Sequence, residues 1–438
     1  MSLSTILLAV LSCLAAGRPA YQAGGANDDR DTKTARFRFE GTYRLRGERQ
    51  DGFNLRSYGT GAGDDFLLSR LRLEVDWAWS SRLRLHAQAQ DARTLGLSFS
   101  DQDFSGGNNP FHDPLDVNQL YVDYQFSRKA RLIVGRQALS YGDRRVFGPG
   151  DWGNTGRYAW DALRLEMDGT SFSSHWIAGR FILHDPDRWP NTRAEGPTAY
   201  ASYNSIKSLP FLLDLFYVYK HDGRGLIKGE TGTGNLSSHS LGFRIDWHGR
   251  PWDGGAMFAG QFGRWGPDDL RAHGLAFSLG RTFQGAWTPY LAIQYVLGSG
   301  DHHPADGIHG TFDGLFSGAD SILYGWMNLF FWQNLREFRI DLTMTPVRTL
   351  AIRVEYHLFG LDAAEDAWYF PGKALRRDTT GTSGRRLGQE ADLTIRKKLS
   401  DRLEILGGVC VFRPGEFVKN TGGSPPARWA FVESTISF

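Results

Sequence analysis

From Arg36 onward, apolar and polar residues alternate at period two, the pattern of strands with one face in an apolar medium and one in water. Leu71, Leu73, Val75, Trp77 and Trp79 share one face, and Arg70, Arg72, Glu74 and Asp76 the other. Beyond the Ser80-Ser81 turn, Leu83, Leu85, Ala87 and Ala89 alternate with Arg82, Arg84, His86, Gln88 and Gln90. The same grammar returns in Phe338 to Met344 and in Leu350 to Leu358. It predicts eighteen strands, joined by short connections at 80–81, 127–129, 168–170, 205–210, 248–254, 283–286, 345–348 and 399–401, with longer ones between. An even strand number with alternating short and long connections is the plan of an outer-membrane barrel: short periplasmic turns, long extracellular loops.

A soluble β-sandwich also alternates, with its charges facing outward. Three features favour the membrane barrel. The strands run to about ten residues, the length a tilted strand needs to cross hydrocarbon, against about five or six in soluble sheets. Aromatic residues gather near strand ends (Trp77, Trp79, Tyr217, Tyr219, Trp247, Trp287), as in interfacial girdles. The chain ends on Phe438, with Val432 and Ile436 on the same face. Barrel-assembly machinery reads such a terminal aromatic on an alternating strand, and is an expected partner. The reading is an all-β transmembrane antiparallel barrel of about eighteen strands in a bacterial outer membrane, surrounded by lipid and lipopolysaccharide.

The domain plan is one barrel over 36–438, a polar segment over 24–35, and a signal peptide over 1–23, whose apolar stretch runs from Ile6 to Ala16. Cys13 and Cys410 are the two cysteines, so the mature chain forms no internal disulfide. The 50 basic and 48 acidic residues leave a formal charge of +2, and no nucleic-acid partner is implied. The basic set is lopsided, with 41 Arg against 9 Lys. Arginine presents a planar fork that pairs bidentately with carboxylates and phosphates.

Inward parity sends Arg70, Arg72, Arg84, Arg164, Arg339 and Arg353 to the lumen, with nearly as many acids, among them Glu74, Asp76, Glu166, Asp341, Glu355 and Asp392. Cross-strand ion pairs bracing a wet wall are the plain reading, at about 0.2–1 kcal/mol each. The sharper one is a selectivity ring, since rings of arginine select anions. The glycine-rich stretch from Gly135 to Arg157 is too irregular for a strand. It carries Arg136, Asp143, Arg144, Arg145, Asp151, Trp152 and Arg157, and is expected to fold over or into the pore mouth. Strict parity points Arg136 outward unless Gly135 forms a bulge. The segment Asp301-His302-His303 with Asp306, His309 and Asp313 offers ligands for a divalent ion, but reads first as a solvated loop.

This stretch, Gly135-Arg136-Gln137-Ala138-Leu139-Ser140-Tyr141-Gly142-Asp143-Arg144-Arg145 through Asp151-Trp152-Gly153-Asn154-Thr155-Gly156-Arg157, resembles the central signature of the alginate export family of outer-membrane proteins. So do Gly325-Trp326 with Phe331-Trp332-Gln333-Asn334-Leu335-Arg336, Asp366-Ala367-Trp368-Tyr369, Gly388-Gln389-Glu390-Ala391-Asp392, and Phe412-Arg413-Pro414-Gly415-Glu416-Phe417. The resemblance runs from Arg36 to Phe438. It implies an eighteen-stranded barrel with an electropositive constriction through which a polysaccharide chain slips outward passively, and it implies periplasmic secretion components as partners.

The expected function is a passive pore for an anionic polysaccharide such as alginate. A general porin for small anionic solutes and an outer-membrane enzyme are the rivals. No G-x-S-x-G, H-E-x-x-H, C-x-x-C or Walker-type loop is present, which removes the commonest hydrolase, metalloenzyme and nucleotide readings and leaves no cofactor to expect.

Overall fold

The computed structural model describes residues 36–105, 107–148, 150–156, 159–191, 196–316, 323–370 and 373–438. The leader, the 24–35 segment and Arg157 lie outside these residues. Among them, eighteen strands form a closed antiparallel barrel. These are β1 (Phe37–Phe53), β2 (Tyr58–Ala78), β3 (Leu83–Leu95), β4 (Asp113–Ser127), β5 (Ala130–Ala138), β6 (Ala159–Asp168), β7 (Phe172–Phe181), β8 (Thr198–Ile206) and β9 (Leu212–Lys228). They continue as β10 (Thr233–His248), β11 (Trp252–Trp265), β12 (Asp268–Thr282), β13 (Tyr290–Gly298), β14 (Leu335–Val347), β15 (Leu350–Gly360), β16 (Arg386–Lys398), β17 (Leu403–Pro414) and β18 (Ala427–Ser437). Each strand pairs with the next, and β18 returns to β1 with Tyr43 opposite Ile436, so the sheet has no free edge. Phe438 completes the seam, its carbonyl accepting from the Gly41 N–H at 2.8 Å.

The alternation settles which face meets lipid. Leu120, Val134, Leu163, Trp176, Leu241 and Val409 all point outward and are exposed, an apolar belt that only a hydrocarbon surrounding makes favourable. Toward the short-turn end the outward positions become aromatic, with Phe37, Trp79, Phe126, Phe172, Trp247 and Trp287 each more than two-fifths exposed.

Three connections on the opposite side are tight rather than long. β1 has 17 residues and β2 has 21, and they meet over residues 54–57; β9 and β10, and β11 and β12, also turn tightly. The segment Gly59 to Asp65 carries no apolar alternation because this part of the hairpin stands in water, where strand pairing satisfies the backbone and neither face needs to be greasy. Period-two reading therefore stops at the membrane boundary, not at the end of the strand.

In β5, Gly135 has φ +130° and sits against β4 without a bulge, opposite Tyr121, so Arg136 falls opposite Leu120. A Cβ at 135 would lie 2.3 Å from the Leu120 carbonyl oxygen. Gly135→Ala is expected to disrupt β4–β5 pairing and cut the yield of folded barrel severely; a heat-modifiability gel reads the folded fraction, and an unchanged band would contradict this.

Candidate functional site

The lumen is not uniformly polar. Strands β6 to β9 turn Trp160, Ile177, Phe181, Tyr203, Phe216 and Val218 inward, and these are buried. What buries them is chain that enters the barrel. The described parts of the connection after β5 (139–148 and 150–156) and of the connection after β13 (299–316 and 323–334) fold into the lumen and pack on this apolar wall and on each other. Phe147 stacks on Phe316 at 5.4 Å, and both meet Trp160 edge to face at 5.8 and 4.6 Å.

The two loops are hung from opposite charges. On the β1–β2 side, wall arginines take carbonyl oxygens of the first loop. Arg44 donates to Asp151 O at 2.8 Å and Gly153 O at 3.1 Å, Arg46 to Trp152 O at 2.8 Å, and Arg70 to Asp151 O at 3.1 Å and Gly153 O at 3.2 Å. Arg72 meets the Asp151 carboxylate at 3.2 Å, and the Arg46 guanidinium lies 3.9 Å from the Trp152 ring centre. Burial alone would raise the Asp151 carboxyl, but Arg72 and Arg70 outweigh it and hold the group below its ordinary range. Asn154 then pins the loop to the wall, donating to the carbonyls of Ser69, Arg93 and Phe111 at 3.1, 3.0 and 2.8 Å.

On the β15–β16 side, wall carboxylates take N–H groups of the second loop. Glu390 accepts from the Met327 N–H at 2.9 Å, Asp392 from the Trp326 N–H at 3.4 Å, and Glu355 from the Trp326 indole at 2.7 Å. His357, wholly buried, is held between Glu337 at 2.7 Å and Asp392 at 3.2 Å. The loops join where Trp152 meets Trp326, ring centres 5.3 Å apart, beside Trp429 and Phe431 of β18. Arg145 carries the first loop across to β13, bonding Asp143 at 2.5 Å and Gln294 at 3.2 Å under the rings of Tyr324 and Trp332.

The residues singled out from sequence therefore separate. Arg70, Arg72, Asp151, Asp143 and Arg145 come together at the loops. Arg144, at φ +70°, donates its backbone N–H to Tyr141 O at 2.9 Å, and its guanidinium makes no hydrogen bond or ion pair among the described residues. Arg164, Arg339 and Arg353 are wall braces, paired with Glu166 at 3.0 Å, Glu355 at 3.4 Å, and Asp341 and Glu355. Arg84 stands exposed near the short-turn mouth. Arg136 is a correction to the expected lumen path. With no bulge at Gly135 it keeps the parity of Val134 and lies on the outside of the barrel, bonded to Asp161 at 2.9 Å and Asn191 O at 2.7 Å. Arg44, Arg46, Asn154 and the carboxylates that hold Trp326 were missed as site residues. Parity gives the inward direction of Arg44 and Arg46, but nothing local marks a wall residue that a distant loop will reach.

The 301–313 segment does not gather its acids and histidines around one point. Asp313 pairs with Lys220 at 2.8 Å, and Asp301 accepts backbone N–H groups. Among the described residues, Glu166, Asp168 and His175 stand close enough to share a cation, but Glu166 is already paired with Arg131 and Arg164. His309 stacks on Trp265 with ring centres 4.4 Å apart and planes within 1°. Burial pushes its imidazole down to about 4. Below about pH 6.5 the unfolded segment takes up a proton that the stacked one refuses until about pH 4. The stack is expected to hold at neutral pH and weaken as pH falls through that window. Trp265 fluorescence read against a His309→Phe control checks this, and identical acid titrations would contradict it.

A family model described as alginate export matches residues 35–430. No curated protein matches the chain. Among solved structures, the barrel is similar to OccK9 (OpdG) of Pseudomonas aeruginosa, with TM-score 0.60, 9% identity, and 92% of this chain and 98% of that one covered. It is also similar to OpdQ of the same organism, with TM-score 0.59, 12% identity, and 92% and 97% covered. OpdK of that organism, solved with vanillate, gives TM-score 0.57 at 12% identity, with 91% and 98% covered. At these identities the likeness carries the fold alone, a closed antiparallel β-barrel.

Proposed function

Because the chain belongs to the alginate export family, we propose that this outer-membrane channel passes an anionic polysaccharide such as alginate along the arginine side of its lumen. The observation that carries the reading is the charge around residues 151–153. Arg44, Arg46, Arg70, Arg72 and Arg144 stand there against Glu48, Asp151 and Glu433, five guanidiniums to three carboxylates, leaving two positive charges in excess. A carboxylate on every sugar ring would be attracted to such a patch. The acids on β14 to β16 lie further round the barrel, beyond β17 and β18, and are buried against Arg339, Arg353, His357 and the second loop, so the arginine patch is the charged surface offered to a chain of uronates. The family and the similar barrels are channels rather than enzymes, and passage here is passive.

A second reading has its own support. The two loops pack inside the lumen, and the similar barrel OpdK was solved with vanillate, a small carboxylate. A porin for small organic acids fits the same arginine patch. Planar-bilayer recording separates the two. Polyuronate oligomers added on the short-turn side are expected to block the current in a length-dependent way, more strongly than neutral dextran of equal size. A current indifferent to polyuronate but reduced by small carboxylates would replace the first reading with the second.

A further inference from the structure

The outer surface of the barrel is not smooth. Between β4 and β9, on the lipid-facing side, two depressions of about 500 and 360 Å³ meet at Leu163 and Ala178. They form one groove because two positions on that face are small. Ala178 sits in register between Leu163 and Tyr200, and Ser202 between Trp176 and Tyr217. Larger neighbours make the walls, and Pro190 closes the end away from the short turns.

The groove runs up to charged groups that also face outward. Arg136, Asp161 and Arg180 are in register across β5, β6 and β7. Arg136 is consumed by Asp161 and by the Asn191 carbonyl. Arg180 is partly exposed, and its guanidinium makes no hydrogen bond or ion pair among the described residues. The same level carries outward arginine–aspartate pairs elsewhere, such as Arg49–Asp65 at 3.5 Å and Arg264–Asp269 at 2.5 Å, whereas the short-turn end carries aromatics. The two rims thus differ chemically. One suits the carbonyl and glycerol layer of ordinary lipid; the other suits a leaflet whose headgroups are phosphorylated and densely charged.

We propose that this groove is a binding site for one phosphorylated, multiply acylated glycolipid of the outer leaflet, an acyl chain lying over Ala178 and Ser202 and a phosphate at Arg180. The groove lies within the apolar belt, where water is excluded and an unfilled hollow forfeits dispersion contacts along its whole lining. Hydrocarbon is therefore what fills it. The unpaired guanidinium at its head selects an anionic lipid over a zwitterionic one, because a phosphate pairs with arginine bidentately and gains nothing from a choline or ethanolamine beside it. The site uses no lumen residue and is independent of the solute that the channel passes.

The test is native mass spectrometry of the full barrel extracted in mild detergent from outer membranes, with Ala178→Trp, which fills the groove, and Arg180→Glu, which reverses its head charge. The wild type is expected to carry one phosphorylated glycolipid, and each variant to retain it about tenfold less. Heat-modifiability and single-channel conductance, which read barrel closure and the lumen, should be unchanged in both. Equal glycolipid retention by all three proteins overturns the proposal. So does a wild type that carries only phospholipid, or an Ala178→Cys variant that cross-links to a second copy in the membrane, which would make the face a subunit contact.

Discussion

Replacing Arg70, Arg72 and Arg144 together with glutamine is expected to lower the anion-to-cation permeability ratio by at least about tenfold, the anion's loss alone supplying that factor. At ~8 Å through water one charge contributes ~0.5 kcal/mol, so three contribute about 1.5 kcal/mol to the free energy of a permeating monovalent anion. Glutamine keeps a donor on each stem, so loop contacts to Asp151 O and Gly153 O are not all forfeited with the charge. Reversal potentials under a salt gradient measure the ratio, at low ionic strength because the field is screened over about 10 Å at 0.1 M. The braces provide the contrast. Arg339→Gln and Arg353→Gln remove the same charge from β14 and β15, away from the patch at residues 151–153, and selectivity should move much less if that patch sets the preference. Equal shifts for both sets would mean that the whole wall, rather than the loop anchor, sets the preference.

Trp160→Ala is expected to loosen both lumen loops without opening the barrel. The indole is wholly buried, and Phe147 of the first loop, Phe316 of the second and Phe181 of β7 all pack against it. Truncation of a buried aromatic costs about 3–5 kcal/mol, and here the loss falls on docking of the loops, because every ladder of the barrel remains closed. Conductance should rise and become noisier, and amide exchange over 139–148 and 312–316 should quicken by two orders of magnitude or more, about 1.4 kcal/mol for each factor of ten. Exchange that quickens equally in β1 and β18 would instead place the damage in the barrel itself.

Both experiments bear on a role that sequence parity does not contain. An inward arginine on a strand of a wet barrel is read either as one half of a cross-strand ion pair or as a charge offered to solute. Arg164, Arg339 and Arg353 fit the first. Arg44, Arg46 and Arg70 do something else: they hold the carbonyl oxygens of a loop more than eighty residues away in sequence. On β15 and β16, Glu355, Glu390 and Asp392 hold N–H groups of another. A buried loop must satisfy its backbone, and two walls of opposite charge supply the acceptors and donors that an apolar wall lacks. The near balance of charges in the lumen follows in part from this use.

The period-two pattern by itself determined the all-β class, the eighteen strands, the face that meets lipid and the closing role of the last strand. Each of these depends on side chains alternating across a pleated backbone, a rule that acts between neighbours in sequence. It also carried the inward direction of most wall arginines, and the outward direction of Arg136 once Gly135 was known to form no bulge. Only the tertiary structure decided that β1 and β2 continue as a hairpin into water, because no apolar surrounding imposes a pattern there. Only it decided that half of the lumen is an apolar packing surface, since Trp160 or Phe216 facing inward makes sense when Phe147 and Phe316 arrive from distant loops. And only it gave the arginines around Asp151 their position at one point of the lumen, because what gathers them is a folded loop whose contacts cross from wall to wall.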